Sequence, residues 1–174
     1  DEHRGTSITV YFPVGKSAID LATGDNARSL ETLLEAIRSL EGAPGNPRVR
    51  VLVGGFASPE GSTQLNEWLA LERASALRDY LVARSRLTLD DVRVHGAGAD
   101  WQGLRALVED SRMPGRADVL RVIDTYPVWN HRARVGRLTT LVNLDGGRPY
   151  RYLLDRFFPR LRAAAVIRVF YENP

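Results

Sequence analysis

Cysteine is absent from the 174 residues, which excludes a disulfide framework, a zinc ribbon and thiol catalysis. The absence leaves an oxidising compartment open, because a chain of this length buries roughly two-thirds of its unfolded surface and needs no covalent staple. No apolar run approaches the roughly 20 residues that crossing a bilayer takes. The opening residues, Asp1 to Gly5, are polar and lack the apolar core of a signal peptide. The chain does not start with Met, so it is expected to be a processed or excised piece, without any targeting segment there was. Lysine is nearly absent too, Lys16 being alone among 24 basic residues. The histidines are only His3, His95 and His131, scattered without metal-ligand spacing, so neither a metal nor another cofactor is expected.

What is present is an apolar share of 44% and a charged share of 26%, the composition of a soluble globular chain. The net charge of +3 hides an asymmetry. Residues 1–100 carry 11 basic and 14 acidic side chains, a balance of −3. Residues 101–174 carry 13 and 7, a balance of +6. Arginine offers a planar fork suited to carboxylate and phosphate, so the basic half admits nucleic acid as a partner. A solvated, arginine-rich surface accounts for the same counts, and nucleic acid is the weaker reading.

Ile8, Val10 and Phe12 alternate with polar or small residues and predict a strand. Ala27, Leu30, Leu33, Leu34, Ile37 and Leu40 fall at helical spacing, ended by Gly42-Ala-Pro44-Gly45. Val49, Val51 and Val53 predict a second strand closing on Gly54-Gly55, then a long helix from about Ser62 to Ala83. Val92 and Val94 mark a third strand. The β-α-β-α-β order implies right-handed crossovers and parallel neighbours. Beyond Asp100 the spacing predicts short helices around 104–108, 119–123, 132–142 and 150–158, with a turn at Asp145-Gly146-Gly147. Residues 165–171 read as a buried last strand. The expected fold is therefore α+β, a two-layer sandwich on a mixed sheet with a helical insertion before the final strand.

The chemistry concentrates in Gly55-Phe56-Ala57-Ser58-Pro59-Glu60-Gly61 and the helix after it. Past the second strand, three or four extended residues carry the chain roughly 10–13 Å outward to Ser58. Arg73, eleven residues into the helix, comes back about 16 Å to the same level. Asn66 and Arg73 lie seven apart and share a helix face. A small-residue loop, a helix N-terminus and an arginine thus converge on a cleft suited to a carboxylate. Ser58-Pro59-Glu60 reads equally as a helix start, with a capping hydroxyl and proline at the first turn.

Gly55, Gly61, Asn66, Leu69, Arg73, Ala74, Tyr80 and Leu81 stand in register with G-[HY]-T-D-x-x-G-x-x-x-x-N-x-x-L-S-x-x-R-A-x-x-V-x-x-Y-L. That pattern belongs to the OmpA-like domain, the peptidoglycan-binding module of many Gram-negative envelope proteins, which the chain resembles over about 7–100 and again near 164–172. Ala57-Ser58-Pro59-Glu60-Gly61, Pro127-Val128-Trp129 and Phe157-Phe158-Pro159-Arg160-Leu161-Arg162 resemble a subset of the family. The resemblance implies one domain over 1–174, with its core at about 7–100 and 164–172 and an insertion at about 101–161. It implies a place in the cell envelope, on the periplasmic face of the outer membrane. It also implies that Arg73 takes the carboxylate of diaminopimelate in the peptidoglycan stem peptide, with Ser58, Glu60, Asn66 and Phe56 around it. Ser58 stands where the family has the Asp that holds the ammonium, and Phe56 where it has His or an aromatic residue. Glu60 is the nearest substitute acid and Asp100 a second.

No P-loop, G-x-S-x-G or H-E-x-x-H occurs, and Gly96-Ala97-Gly98 lacks the third glycine of a dinucleotide fingerprint. No catalytic residue is assigned and the chain is expected not to be an enzyme. His95, Trp68 and Tyr80 read as structural or packing residues, and Asp90-Asp91 and Glu109-Asp110 as solvated ends. Arg148, Arg151, Tyr152, Arg156, Phe157, Arg160 and Arg162 interleave cations with aromatics, either as a docked insertion with arginines in water or as a surface for another envelope protein. Two functions are carried forward. One is a non-covalent peptidoglycan anchor. The other is an interaction module of an outer-membrane assembly that has lost the ligand with the motif Asp.

Overall fold

A three-residue strand, β1 (Thr9–Tyr11), begins the part of the computed structural model that can be described, residues 8–172. The polar start Asp1–Gly5, with His3, lies outside the described residues. Helix α1 (Asn26–Glu41) forms where Leu30, Leu33, Leu34 and Ile37 recur at helical spacing, and all four are buried. Its first residue has a task that periodicity does not show. The buried Asn26 amide donates to the Tyr11 and Asp20 carbonyls, and its oxygen accepts from the Tyr11 N–H, all at 2.8–2.9 Å. That reciprocal pair pins α1 to β1.

Strand β2 (Arg48–Ala57) runs past the expected stop at Gly54-Gly55, because Phe56 still pairs with Ala163 and Ala57 with Ala99. Helix α2 (Thr63–Arg84) follows, then β3 (Val92–Ala99), parallel to β2 as the crossover requires. The last strand, β4 (Ala163–Glu172), inserts between β1 and β2, antiparallel to both. The order β1-β4-β2-β3 makes an α+β mixed sheet, with the α1 and α2 side chains packed on the Val49, Val51 and Val53 face. Helix α2 comes unusually close to that sheet. A side chain at Gly55 would overlap the Ala70 carbonyl, and one at Gly96 would press into the Leu71 backbone.

Four helices, α3 (Trp101–Glu109), α4 (Arg116–Thr125), α5 (Arg137–Asn143) and α6 (Arg148–Arg156), surround a second apolar cluster. Leu104, Val108, Val119, Leu141, Leu153 and Phe158 are its fully buried members. The helix expected over 132–142 forms only from Arg137. Ahead of it, Asn130 bridges to Val135, and its side-chain oxygen accepts from the Arg132 and Ala133 N–H groups, holding a loop instead. The helix expected at 150–158 starts earlier, with Pro149 in its first turn, and stops at Arg156.

The final strand is buried only at Ala163–Val166. Beyond Val166 it remains paired with β2, but Ile167, Phe170 and Tyr171 are exposed. Asp91 also departs from expectation. It is buried, accepts from the Thr88 N–H and hydroxyl, and pairs with Arg48 at 2.9 Å.

Candidate functional site

The turn from β2 into α2 is closed by Ser62, not Ser58: the Ser62 hydroxyl accepts from the Leu65 N–H at 3.1 Å, which makes it the helix cap. Ser58 is freed for another partner and is buried. Its hydroxyl accepts from Arg162 Nε at 3.1 Å. Arg162 Nη2 continues to Glu60 Oε1 at 2.6 Å, a charge-assisted bond between residues 102 apart in the chain. Glu60 Oε2 is buried with no partner. Arg162 is positioned from behind, because its carbonyl accepts from the Phe12 N–H at 2.8 Å.

Arg73 belongs to the same polar knot. It is 1% exposed, and its fork donates to the carbonyls of Lys16 (2.9 Å), Phe56 (3.0 Å) and Pro13 (3.4 Å). Its guanidinium also lies over the Phe12 ring, 5.4 Å from the centroid. Burial, then the neighbouring charge of Arg162, pushes its pKa down to about 10, with Glu60 opposing the shift. It remains a cation at neutral pH. Two guanidinium groups thus lie near one carboxylate, which bonds only Arg162, leaving the knot with an excess positive charge.

Phe56 enters this knot through its carbonyl. Gly55 faces α2, so strand alternation sends the Phe56 ring to the opposite face, beside the Gly54 and Ile167 positions. Asp100 caps α3, its Oδ1 accepting from the Gly103 N–H at 2.9 Å, while its own N–H donates to the Ala57 carbonyl. The structure therefore brings together Ser58, Glu60, Arg73 and the Phe56 carbonyl, and occupies Asp100 elsewhere. Trp68 is 54% exposed rather than packed, and His95 is exposed on β3. Tyr80 packs against the core and carries the Arg84 guanidinium 3.7 Å from its ring centroid.

Arg162 is the site residue that motif spacing missed. It was visible in the sequence only as the last residue of Phe157-Phe158-Pro159-Arg160-Leu161-Arg162, among arginines expected to face water. Arg148, Arg151, Arg156 and Arg160 do face water, and Phe157, Phe158 and Leu161 are buried in the second cluster.

Beside the knot, across Pro59, opens a cleft of about 460 Å³. Asn66 is the one expected site residue that lines it. Ser62 and Glu67 on α2, Trp101 on α3, Trp129, and Thr139 on α5 form much of the rest. Asn66 is 3% exposed, and its amide makes a single long bond, 3.5 Å to the Pro59 carbonyl. No described residue donates a hydrogen bond to its oxygen.

The family model of the OmpA family matches residues 11–110, more than half of the chain. The chain belongs to the OmpA family. This is a family of non-enzymatic structural and binding modules, and the chain is one of them. No curated protein matches this OmpA-family chain. Among solved structures it is similar to the peptidoglycan-associated lipoprotein from Burkholderia pseudomallei, at 13% identity over 94% of this chain and 89% of that one, TM-score 0.48. It is also similar to an outer membrane protein from Borrelia burgdorferi B31, at 16% identity over 54% and 75%, TM-score 0.45. The periplasmic domain of Helicobacter pylori MotB is similar at 13% identity over 94% and 76%, TM-score 0.42. No helix among the described residues is long and apolar enough to cross a membrane.

Proposed function

We propose that this OmpA-family chain is a non-catalytic cell-envelope module that attaches non-covalently to peptidoglycan from the periplasmic side of the outer membrane. One OmpA-like domain spans the chain on this reading, with about 101–161 as its helical insertion. The observation that supports it is the family match over 11–110 together with the convergence of Ser58, Glu60 and Arg73 next to the open cleft at Asn66. The group gripped is the diaminopimelate of the stem peptide. The excess positive charge that Arg73 and Arg162 hold favours its carboxylate, and the Glu60 carboxylate, with one oxygen unpartnered, favours its ammonium.

One observation favours a second reading, an interaction module of an envelope assembly that has lost the ligand. Arg162 already occupies Ser58 and Glu60, so the chain supplies its own cation where the family's Asp holds the ligand's. Calorimetric titration of the whole chain with a diaminopimelate stem peptide, beside co-sedimentation with purified sacculi, separates the two. The anchor reading expects the chain to pellet with sacculi, and expects Ser58→Asp to strengthen peptide binding. A wild-type chain that stays in the supernatant and takes up no peptide overturns it in favour of the second.

A further inference from the structure

The cleft beside the knot has a wall that the family motif does not provide. It is made by the loop between α4 and α5 and by Trp101 at the start of α3. Trp129 stands on that loop, 46% exposed. The loop is an organised support, since Asn130 N–H donates to the Val135 carbonyl at 2.8 Å and Arg137 N–H to the Pro127 carbonyl at 3.0 Å. Gly136 lets it close: a side chain there would overlap the Val128 carbonyl and press on the Trp129 ring. Trp101 carries the Arg137 guanidinium 4.9 Å from its ring centroid. The loop is hydrogen-bonded and presents a large aromatic ring to a concave, mostly apolar space with a few polar groups, the make-up of a binding surface.

The volume, about 460 Å³, falls within the range of small-ligand pockets. The chemistry opposite the tryptophans is neutral or acidic. The first turns of α2 offer the Ser62 and Thr63 side chains, the Asn66 amide, whose oxygen has no donor among the described residues, and Glu67, and no lining residue is cationic. An anionic ligand would meet Glu67, while the nearest guanidinium on that wall, Arg137, is held over the Trp101 ring and is not among the lining residues. A hydroxylated ring fits instead, its C–H face against indole and its hydroxyls on amide, hydroxyl and carboxylate.

We propose that this cleft is a saccharide subsite that takes a sugar ring of the peptidoglycan glycan, stacked on Trp129 and hydrogen-bonded by Asn66 and Glu67. The inference rests on the anchor reading above. The stem peptide is attached to the glycan, so a glycan seat has to adjoin the peptide seat, and Asn66, bonded to the Pro59 carbonyl, stands between the two.

The test titrates the whole chain with peptide-free glycan strands, with free stem peptide and with intact sacculi, reading tryptophan fluorescence and calorimetry. Wild type binds the glycan strands, and Trp129→Ala weakens that binding about tenfold, the scale of one lost stacking contact. Trp129→Phe keeps part of the affinity. Trp68→Ala removes an exposed ring that does not line the cleft and leaves glycan affinity unchanged. Equal melting temperatures for Trp129→Ala and wild type confirm that the fold survives. Glycan affinity that is the same in Trp129→Ala and wild type overturns the subsite. Binding of sacculi and stem peptide without binding of glycan strands overturns the subsite and leaves the anchor reading standing. Failure to bind sacculi overturns both.

Discussion

Arg162 and Glu60 form a 2.6 Å ion pair that ties the end of the helical insertion to the loop between β2 and α2. Arg162 is 7% exposed, and its second contact, to Ser58, is buried as well. A pair of this kind sits where the motif loop, the insertion and the last strand meet.

Removing one member of a mostly buried pair strands the other, so Arg162→Ala should cost about 2–3 kcal/mol in denaturant unfolding. The Glu60→Gln, Arg162→Gln double variant should recover part of that, because the Glu60 carboxylate is no longer left without its arginine. The water-exposed bridge of Arg105 to Asp124 and Glu109 gives the contrast, and Arg105→Ala should cost much less. Equal losses for Arg162→Ala and Arg105→Ala would refute the buried link.

Arg73 holds three backbone carbonyls, two from the loop after β1 and one from the end of β2. Lysine keeps the charge but lacks the fork, so Arg73→Lys should lose about 2 kcal/mol and Arg73→Ala more. A melting curve therefore has to accompany any ligand-binding result on this residue. An Arg73→Ala chain as stable as wild type would show that those carbonyls find other donors.

Close approach of α2 makes Gly55 the least replaceable glycine in the sheet. Gly55→Ala should cost about 3 kcal/mol, since the obstacle is the Ala70 backbone and the helix has to move bodily. Gly24, with φ of +49° and nothing within 4 Å of its absent side chain, should lose only about 1 kcal/mol as alanine. Thermal unfolding of the two variants side by side checks the ranking.

Asp91 sets an acid limit. Its burial raises the carboxyl pKa, but the Thr88 hydrogen bonds and the Arg48 pair outweigh this and hold it below the ordinary 3.8. A depressed folded-state pKa contributes stability above the unfolded value, and that contribution is lost as pH falls through the folded one. Asp91→Asn should therefore be less stable than wild type near neutrality and approach it in strong acid. A difference that does not change with pH would assign Asp91 a purely steric role.

Much of the α+β order was legible because burial imposes a period. Leu30, Leu33, Leu34 and Ile37 can all reach the core only on a helix, and Val49, Val51 and Val53 only on a strand. The spacing of Asn66 and Arg73 placed both on the buried face of α2. Helix caps were less legible: Ser58 and Ser62 are both hydroxyls near the same turn, and only the path of the backbone chose Ser62. The exposure of β4 beyond Val166 depends on what packs over that end of the sheet, which a run of apolar residues does not reveal.

The amino-acid order alone determined the succession of elements, the OmpA-like motif and the single arginine at its centre, because local periodicity and fixed spacing survive without knowledge of the fold. Tertiary structure decided who partners whom. Arg162 meets Glu60 only after β4 has inserted beside β2, and Trp129 meets Asn66 across a cleft only after the insertion has packed on its own core. Contacts between residues a hundred positions apart depend on chain closure and carry no local signature, so the filled cation seat and the aromatic wall become visible only in three dimensions.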